Sequence, residues 1–261
     1  MMNDREQLRE TFNQSADVYD RIRPAYPDAL VDDVISLSEI PKQGQILEIG
    51  CGTGKATEPF VVRGYSMDCL EIGKDLAAVA TAKFSERDNV RIIVSSFEDW
   101  ELNEDQYDLV FAATSFHWVD PAVAYVKSAS LLRPNGALAV FSNMHVRKTE
   151  GFFAGVQGIY RTSAPSMAHG PSKSKKAREA RKVPIGRELF QDPVIHRYPH
   201  AIEYSADQYI ELLGTYSDHI SLPRPERKAL FDGIANLINT DYGGKVLKHY
   251  EAVLTFRRLR E

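Results

Sequence analysis

Residues 46–54, Ile-Leu-Glu-Ile-Gly-Cys-Gly-Thr-Gly, decide the fold of this chain. The stretch opens with apolar residues that predict a buried parallel strand. It then breaks into glycines at alternate positions, Gly50, Gly52 and Gly54, before a helix-compatible pattern over 55–63. A glycine-rich turn between a strand and a helix lets the backbone approach a ligand closely, because no Cβ stands in the way.

The residues around these glycines favour one class of ligand over another. A dinucleotide fingerprint requires a small residue where this chain has Lys55, because the helix must pack tightly there and receive a pyrophosphate. The acid two residues before the first glycine, Glu48, would repel phosphate and attract an ammonium or sulfonium centre. A tight turn that binds no ligand is the plain structural alternative.

Composition limits the classes of protein that fit. A chain of 261 residues with 43% hydrophobic and 26% charged residues can bury one good core with an inserted cap. The net charge of −4 gives no general attraction to nucleic acid or to an anionic membrane. Cys51 and Cys69 are the only cysteines, so we expect no disulfide framework and a cytoplasmic location. The amino terminus lacks the apolar core of a signal peptide, and the spacing of His196 and His200 predicts no metal site.

Strands and helices are predicted to alternate along the chain, which is typical of an α/β fold. The predicted strands are 46–49, 65–71, 90–94, 107–113, 137–142, 194–205 and 245–257. The predicted helices are 5–22, 28–39, 55–63, 74–86, 121–132, 151–161, 207–216 and 224–239. We expect residues 1–142 to form the amino-terminal helices and a nucleotide-binding core, 143–192 an inserted cap or lid, and 193–261 the completion of the same domain. The basic run 172–182 in the cap reads as a solvated face or a loop.

Several motifs resemble one enzyme family. The pattern Glu48-x-Gly-x-Gly-x-Gly resembles motif I of the class I S-adenosylmethionine (SAM)-dependent methyltransferases. The segments Phe116-His117-Trp118 and Thr215-Tyr216-Ser217, with the turn Leu-Arg-Pro-Asn-Gly at 132–136, resemble the UbiE-like and trans-aconitate methyltransferase-like branch. The resemblance implies a Rossmann-like seven-stranded sandwich, mainly parallel with an antiparallel last strand, and SAM as cofactor with S-adenosylhomocysteine as product.

The resemblance also implies a set of cofactor contacts. An acid at the end of the second strand, Glu71, is placed to accept both ribose hydroxyls, as in nucleotide-binding sheets generally. The loop after the third strand would hold adenine through Phe97, with Ser96 or Glu98 making the polar bond, although the family commonly has aspartate where Ser96 stands. Tyr19 and Arg23 are the candidates for the methionine carboxylate. The remaining predicted contacts are Glu48, Gly50, Gly52, Gly54 and Ala112.

The acceptor pocket is predicted from the segments after the fourth strand and near the carboxyl terminus. Its candidates are Phe116, His117, Trp118 and Tyr216. His117 is a candidate general base, although a role as a packing residue of the pocket wall is the favoured interpretation. Because the sulfonium is already a good leaving group, alignment of a small-molecule acceptor for in-line displacement is the main requirement.

Two other functions stay open at this point: an NAD-dependent oxidoreductase, and a noncatalytic SAM-binding regulatory protein. No nucleic-acid or membrane partner is expected. The acceptor, the methylated atom and the oligomeric state are left open by the sequence.

Overall fold

The computed structural model describes residues 16–101, 107–146, 148–167 and 186–260. Two sequence predictions fall outside these ranges, namely the amino-terminal part of the helix over 5–22 and the basic run 172–182. Within the described residues the strands are β1 (Gln45–Ile49), β2 (Ser66–Glu71), β3 (Val90–Val94), β4 (Tyr107–Ala113), β5 (Leu132–His145), β6 (Val194–Ser205) and β7 (Lys245–Arg258).

The helices follow the predicted pattern with two exceptions. They are α1 (Ala16–Ile22), α2 (Asp28–Ser38), α3 (Glu58–Val61), α4 (Lys74–Lys83), α5 (Ala124–Leu131), α6 (Phe152–Ser163), α7 (Ala206–Gly214), α8 (Ser217–Ile220) and α9 (Arg224–Asp241). The prediction of a helix over 55–63 is wrong in length, because residues 55–57 and 62–63 form turns and only α3 is helical. The short helix α8 was not predicted.

The strands form one seven-stranded sheet in the order β3-β2-β1-β4-β5-β7-β6. Neighbours from β3 to β5 pair in parallel, whereas β7 runs antiparallel to both β5 and β6. The predicted fold class, a mainly parallel sheet with an antiparallel last strand, is therefore confirmed. The direction of the crossovers reverses between β1 and β4, and open α/β sheets bind ligands at the carboxyl ends of strands beside such a reversal.

Apolar clusters cover both faces of the sheet. On one face the ring of Phe111 from β4 stacks between Phe60 (centroids 4.9 Å apart) and Phe141 (5.4 Å). The other face buries Leu47 and Val110, whose side chains alternate with those of the first face along their strands. The central strands are thus buried on both sides, as expected of a parallel sheet between helices.

A third apolar cluster joins the carboxyl-terminal helices to the segment after β5. Phe152 of α6, Tyr209 of α7, Ile234 of α9 and Tyr250 of β7 are all buried in it. Helix α6 therefore packs against α7 and α9 and forms a layer beside the sheet. The domain limits at 142 and 192 stay a prediction, although β5 continues beyond residue 142 as far as His145.

None of the helices in the described ranges has both the length and the apolar content needed to cross a bilayer.

Candidate functional site

A cavity of about 1000 Å³ opens at the carboxyl ends of β1, β2 and β4. This volume lies at the upper end of the range for small-molecule sites, roughly 300–1,000 Å³, so the cavity can hold two ligands side by side. Its lining residues come from two parts of the fold. The loop wall includes Gly50, Gly52, Glu71, Ile72, Ser96 and Phe97, and the helix wall includes His145, Phe153, Tyr160, Tyr209, His219 and Lys248. We refer to the cavity as the chamber.

The glycine loop after β1 presents backbone to the chamber. Gly52 has φ +59°, and a Cβ added there would meet no atom within 4 Å. Its backbone N–H donates to Glu71 Oε2 over 2.8 Å. Gly50 has φ +69°, and a Cβ there would lie 2.7 Å from Ser115 Cβ. Gly52 is therefore the point of the loop that is open toward a ligand, whereas Gly50 is also required for close packing.

Gly54 is glycine for a different reason from the one predicted. It lies away from the chamber, with φ +82°, and an added Cβ would come within 2.4 Å of Phe84 Cε2. Packing against the end of α4 thus accounts for the lack of a side chain at Gly54, and its predicted contact with the cofactor stays a prediction.

Glu48 lies behind the glycine loop and is completely buried. Its Oε2 accepts a hydrogen bond from Thr57 Oγ1 over 2.5 Å. Burial raises the pKa of Glu48 to about 8, so the side chain is mostly protonated at neutral pH. The prediction that Glu48 attracts the sulfonium stays a prediction.

A smaller cavity of about 80 Å³ lies beneath the glycine loop, next to Glu48, Thr53 and Asn143. Glu48 Oε1 and Asn143 Oδ1 are buried there without a hydrogen-bond partner among the described residues. Buried polar atoms are normally hydrogen-bonded, so these two oxygens indicate a position for a polar group.

Glu71 ends β2 beside the loop and is 7% exposed. Its two carboxylate oxygens accept the backbone N–H groups of Gly52 (2.8 Å) and Gly73 (2.7 Å). A carboxylate can accept more than two hydrogen bonds, so these contacts hold Glu71 in place without exhausting its capacity. Ile72 follows directly, is 45% exposed and lines the chamber. The sequence analysis missed Ile72, although an apolar residue directly after a strand-end acid was a signal for it.

The loop after β3 reaches the chamber with all three of its predicted residues. Ser96 Oγ bonds to Asp99 Oδ2 (2.7 Å) and accepts the Asp99 backbone N–H, so it stabilises its own turn. Phe97 is 3% exposed and Glu98 Oε1 accepts the backbone N–H of Asp120. Phe97 therefore offers an apolar surface, and the polar side chains beside it already bond within the protein.

The residues predicted after β4 separate into two groups. Ala112 is fully buried and faces the core, whereas its neighbour Ala113 lines the chamber, because side chains alternate along a strand. Phe116 likewise lies away from the chamber and packs edge-on against Tyr125, with centroids 5.2 Å apart. Neither Ala112 nor Phe116 is among the residues that line the chamber, and their predicted contacts with cofactor and acceptor stay predictions.

His117 and Trp118 do line the chamber. They belong to a short 3₁₀ helix, and their ring centroids are 4.9 Å apart. His117 is exposed to solvent. Its role as a general base stays a prediction.

Tyr19 and Arg23 of the amino-terminal segment line both cavities. Arg23 donates to Thr215 Oγ1 (2.8 Å) and to the Thr215 carbonyl oxygen (2.6 Å). Its guanidinium lies over the rings of Tyr19 (5.0 Å) and Tyr216 (4.4 Å). Arg23 therefore connects α1 to the end of α7 and brings Tyr216 into the chamber wall, where it was predicted.

The helix wall contains ionisable residues that the sequence analysis did not single out. Tyr160 Oη lies 2.7 Å from His219 Nε2, and His219 Nδ1 lies 2.7 Å from Asp218 Oδ1. Burial, with the charges of Lys248 and Arg23 nearby, lowers the pKa of His145 to about 4. These residues come from α6, α8 and β5, so no local motif could have indicated them.

Lys248 of β7 is the buried cation of this wall, with 8% of its surface exposed. Its Nζ lies 5.7 Å from the ring centroids of Phe153 and Tyr209 and 5.5 Å from that of Tyr250. Burial lowers the pKa of Lys248 to about 8. The ammonium is therefore charged at neutral pH and surrounded by aromatic faces.

The spaced histidines and the two cysteines lie in ordinary structural surroundings within the described ranges. These ranges contain no group of three His, Cys, Asp or Glu side chains arranged to hold a metal ion. His196, one of the two spaced histidines, bonds to Asp33 Oδ2 over 2.7 Å. Cys51 and Cys69 are both buried, and burial contributes to raising the pKa of each thiol.

Comparison with known proteins agrees with this architecture. Residues 47–140 match the model of a methyltransferase domain family. Residues 47–140 are therefore similar to a methyltransferase domain, and the sheet that contains them has the methyltransferase Rossmann-like fold. The match covers β1 to β5, the parallel part of the sheet that forms the loop wall. It does not distinguish the UbiE-like branch from others, so that finer assignment stays a prediction.

Relatives of this methyltransferase domain align over part of their length. An uncharacterised methyltransferase of Mycobacterium tuberculosis is 29% identical over 139 residues, which are 53% of this chain and 54% of the relative. The chain thus spans about half the length of the curated relatives it matches.

Solved structures extend the likeness in fold. A proposed type II methyltransferase from Anaeromyxobacter dehalogenans superposes with a TM-score of 0.61 at 19% identity, covering 91% of this chain and 97% of that one. An N-methyltransferase of Haemonchus contortus, in complex with phosphomonomethylethanolamine and S-adenosylhomocysteine, has a TM-score of 0.56 at 15% identity and covers 100% of this chain and 60% of that one. At these identities the likeness concerns the fold alone.

Proposed function

We propose that this methyltransferase domain binds SAM against the loop wall and transfers its methyl group to a small molecule held by the helix wall. The observation that carries the proposal is the chamber itself, which places the open backbone of Gly52 and the carboxylate of Glu71 at one side of a volume large enough for two ligands. The cytoplasmic location expected from the cysteine content belongs to the same proposal.

The residues present fit the parts of SAM. Glu71 can accept the hydroxyl groups of a ribose, because its oxygens are fixed at the end of β2. Ile72 and Phe97 offer apolar surface to an adenine ring. The buried Asn143 Oδ1 needs a donor, and an ammonium group has three. A protonated Glu48 keeps a buried negative charge out of this region.

The chemistry then depends on alignment. When bound, SAM supplies a methyl group on a sulfonium, which a correctly placed nucleophile can attack directly. The chain must orient the acceptor and keep water out, and ideal placement of two reactants contributes roughly 7–11 kcal/mol to lowering a barrier. Tyr216, stacked against Arg23, and Trp118 lie in the chamber lining where such an acceptor would be enclosed.

The topology disfavours the oxidoreductase alternative. The dinucleotide-binding sheet has the order 3-2-1-4-5-6 with parallel strands, whereas here the antiparallel β7 lies between β5 and β6. The protonated Glu48 does not repel a pyrophosphate, so topology and Lys55 rather than charge carry this argument.

Calorimetry with SAM and with NAD tests the cofactor assignment. We expect saturable SAM binding and weaker or no NAD binding, and tighter binding of NAD would overturn the proposal. Incubation with radiolabelled SAM and a panel of hydroxyl, carboxyl and amine acceptors tests turnover. SAM binding without labelled product from any acceptor in the panel would favour a noncatalytic regulatory protein.

A further inference from the structure

Three side chains of the helix wall form a hydrogen-bonded chain that the proposed function does not yet use. Tyr160 of α6 contacts His219 of α8 through Oη and Nε2, 2.7 Å apart. His219 Nδ1 in turn lies 2.7 Å from Asp218 Oδ1, and the same oxygen accepts the His219 backbone N–H over 2.8 Å. The chain thus runs from a phenol through an imidazole to a carboxylate.

The direction of these hydrogen bonds follows from the charge of Asp218. Its hydrogen bond with His219 lowers the pKa of the Asp218 carboxyl, so it is ionised and can only accept. His219 Nδ1 must therefore carry the proton, which leaves the lone pair of the neutral ring on Nε2. Tyr160 Oη–H then donates to Nε2, and the chain is prepared to take up one further proton at the imidazole.

The chamber reaches this chain through Tyr160. His219 is only 5% exposed, and its ring lies between those of Tyr216 (5.8 Å) and Phe231 (6.2 Å). Tyr160 is half-buried and lines the chamber. Burial raises the pKa of Tyr160 above its usual value, so its hydroxyl stays protonated and can pass a proton on.

The other residues of the helix wall suit an acceptor that has an aromatic ring and an oxygen that becomes anionic during the reaction. Phe153, Tyr209 and Tyr216 supply ring surfaces, and aromatic pairs are favourable in edge-to-face or offset arrangements. Lys248 adds a positive charge that has no salt bridge within the described part of the chain. A nearby cation favours the ionised form of a hydroxyl.

We propose that Tyr160, His219 and Asp218 form a proton relay for an acceptor of the phenol class. This inference rests on the proposed function and names its substrate class. A phenol has a pKa of about 10 and is almost entirely protonated at neutral pH, so methylation of its oxygen benefits from a base. General-base catalysis typically contributes about 10²–10⁴-fold to a rate.

The proton and electron balance of the step is simple. The acceptor hydroxyl gives its proton to Tyr160 Oη while the Tyr160 proton moves to His219 Nε2. The acceptor oxygen forms the new bond to the methyl carbon, the bond between that carbon and sulfur breaks, and its electron pair stays on sulfur. One imidazolium results, and the carboxylate of Asp218 stabilises it. The proton later returns to solvent.

Other titratable groups around the relay define the pH range of a test. Asp218 and Tyr216 face His219 from its own segment and Tyr160 faces it from α6. The charge of Asp218 also reaches His145 on β5, whose pKa is about 4. Lys248 has a pKa of about 8. Between about pH 5.5 and 7.5, therefore, His145 stays neutral and Lys248 stays charged.

The test uses 4-nitrophenol as a probe because its ionisation is visible by absorbance. The full chain, with S-adenosylhomocysteine present, is titrated with the probe over this pH range. We expect the bound probe to ionise at least about tenfold more readily than the free probe, a shift of one pKa unit or more. Tyr160→Phe and Asp218→Asn should each lose this gain, whereas Tyr242→Phe, the same change outside the chamber, should keep it.

A matched carboxylate separates the relay from general binding. The probe 4-nitrobenzoate has no proton to lose in this range, so its affinity should be unchanged in Tyr160→Phe. Nitrogen NMR gives a second readout: His219 should be the Nδ1–H tautomer in the native protein and should lose this preference in Asp218→Asn. Three results would each overturn the proposal. The bound 4-nitrophenol could ionise no more readily than the free probe, it could ionise equally in the native protein and in Tyr160→Phe, or it could show no saturable binding.

Failure of the relay and failure of the proposed function give different results. The probe experiment follows a proton and requires no methyl transfer. If calorimetry shows SAM binding but the protein does not alter the ionisation of the probe, the relay is contradicted and the proposed function is not. A protein that does not bind SAM contradicts the proposed function, whatever the probe shows.

Discussion

The loop wall and the helix wall of the chamber use different parts of the chain for their chemistry. The loop wall consists of turns at the ends of neighbouring parallel strands, where Gly52 presents backbone and Glu71 is fixed by two backbone N–H groups. The helix wall consists of side chains from α6, α8 and β7, namely Tyr160, His219 and Lys248. The first wall depends on the sheet, and we expect it to bind the cofactor. The second can change with single side chains, so we expect it to set the choice of acceptor.

The largest expected effect concerns the protonated Glu48 behind the loop wall. Its pKa is about 8 in the folded state and 4.5 for an ordinary glutamate. The folded state therefore holds its proton more tightly, and the resulting stability is complete below about pH 4.5 and is lost as pH rises through 8. Each unit of pKa difference corresponds to about 1.4 kcal/mol, so urea unfolding should show a loss of several kcal/mol across this window.

Glu48→Gln should remove most of that pH dependence because its amide does not ionise. Glu86→Gln, an exposed glutamate, serves as the control and should leave the dependence as it is. If the free energy of unfolding of Glu48→Gln kept the native dependence on pH, this result would show that Glu48 is ionised in the folded protein.

The second prediction separates packing from binding within the glycine loop. Gly54→Val forces a Cβ to within 2.4 Å of Phe84 Cε2 at a positive φ. Overpacking costs about 1–3 kcal/mol and a left-handed conformation a further 1–2 kcal/mol or so. Denaturant unfolding should therefore show a loss of about 2–5 kcal/mol. A Gly54→Val protein with native stability would contradict the packing role assigned here.

A smaller effect is expected where Arg23 connects the amino-terminal segment to the end of α7. Arg23→Ala removes two hydrogen bonds to Thr215 and two contacts with aromatic rings, which should lower the free energy of unfolding by about 1.5–3 kcal/mol. Arg21→Ala, two residues earlier in α1, removes an exposed ion pair with Glu211 and should change the free energy of unfolding by less than about 1 kcal/mol. Equal losses in the two variants, measured by urea unfolding, would contradict the stabilising role of the contacts between Arg23 and Thr215.

The two walls also differ in how far they follow from the sequence. Strands β3, β4 and β6 have the predicted limits, because alternating or continuous apolar runs are local signals. Gly52, Glu71 and Phe97 could be predicted as site residues from the same local signals, because each lies at the end of a predicted strand or shortly after it. Ala113 rather than the predicted Ala112 lines the chamber, which only the register of β4 decides.

The helix wall could not be predicted in this way. Tyr160 and His219 are 59 positions apart and meet only because α6 packs against the carboxyl-terminal helices. In the sequence Tyr160 reads as one more apolar residue of an amphipathic helix. Similarly, the protonation of Glu48 depends on its burial behind the loop, and no local sequence pattern predicts that burial.

The central claim, that the open backbone at Gly52 receives SAM, has a direct test in matched variants. Gly52 (φ +59°) and Gly243 (φ +63°) share a backbone conformation, and an added Cβ meets nothing within 4 Å at either. Valine at each position therefore carries a similar backbone strain, but only Gly52→Val places a side chain in the chamber. By calorimetry we expect Gly243→Val to bind SAM like the native protein and Gly52→Val to bind at least about 100-fold more weakly, a loss of about 2.8 kcal/mol. Native affinity for SAM in a folded Gly52→Val protein would contradict the account.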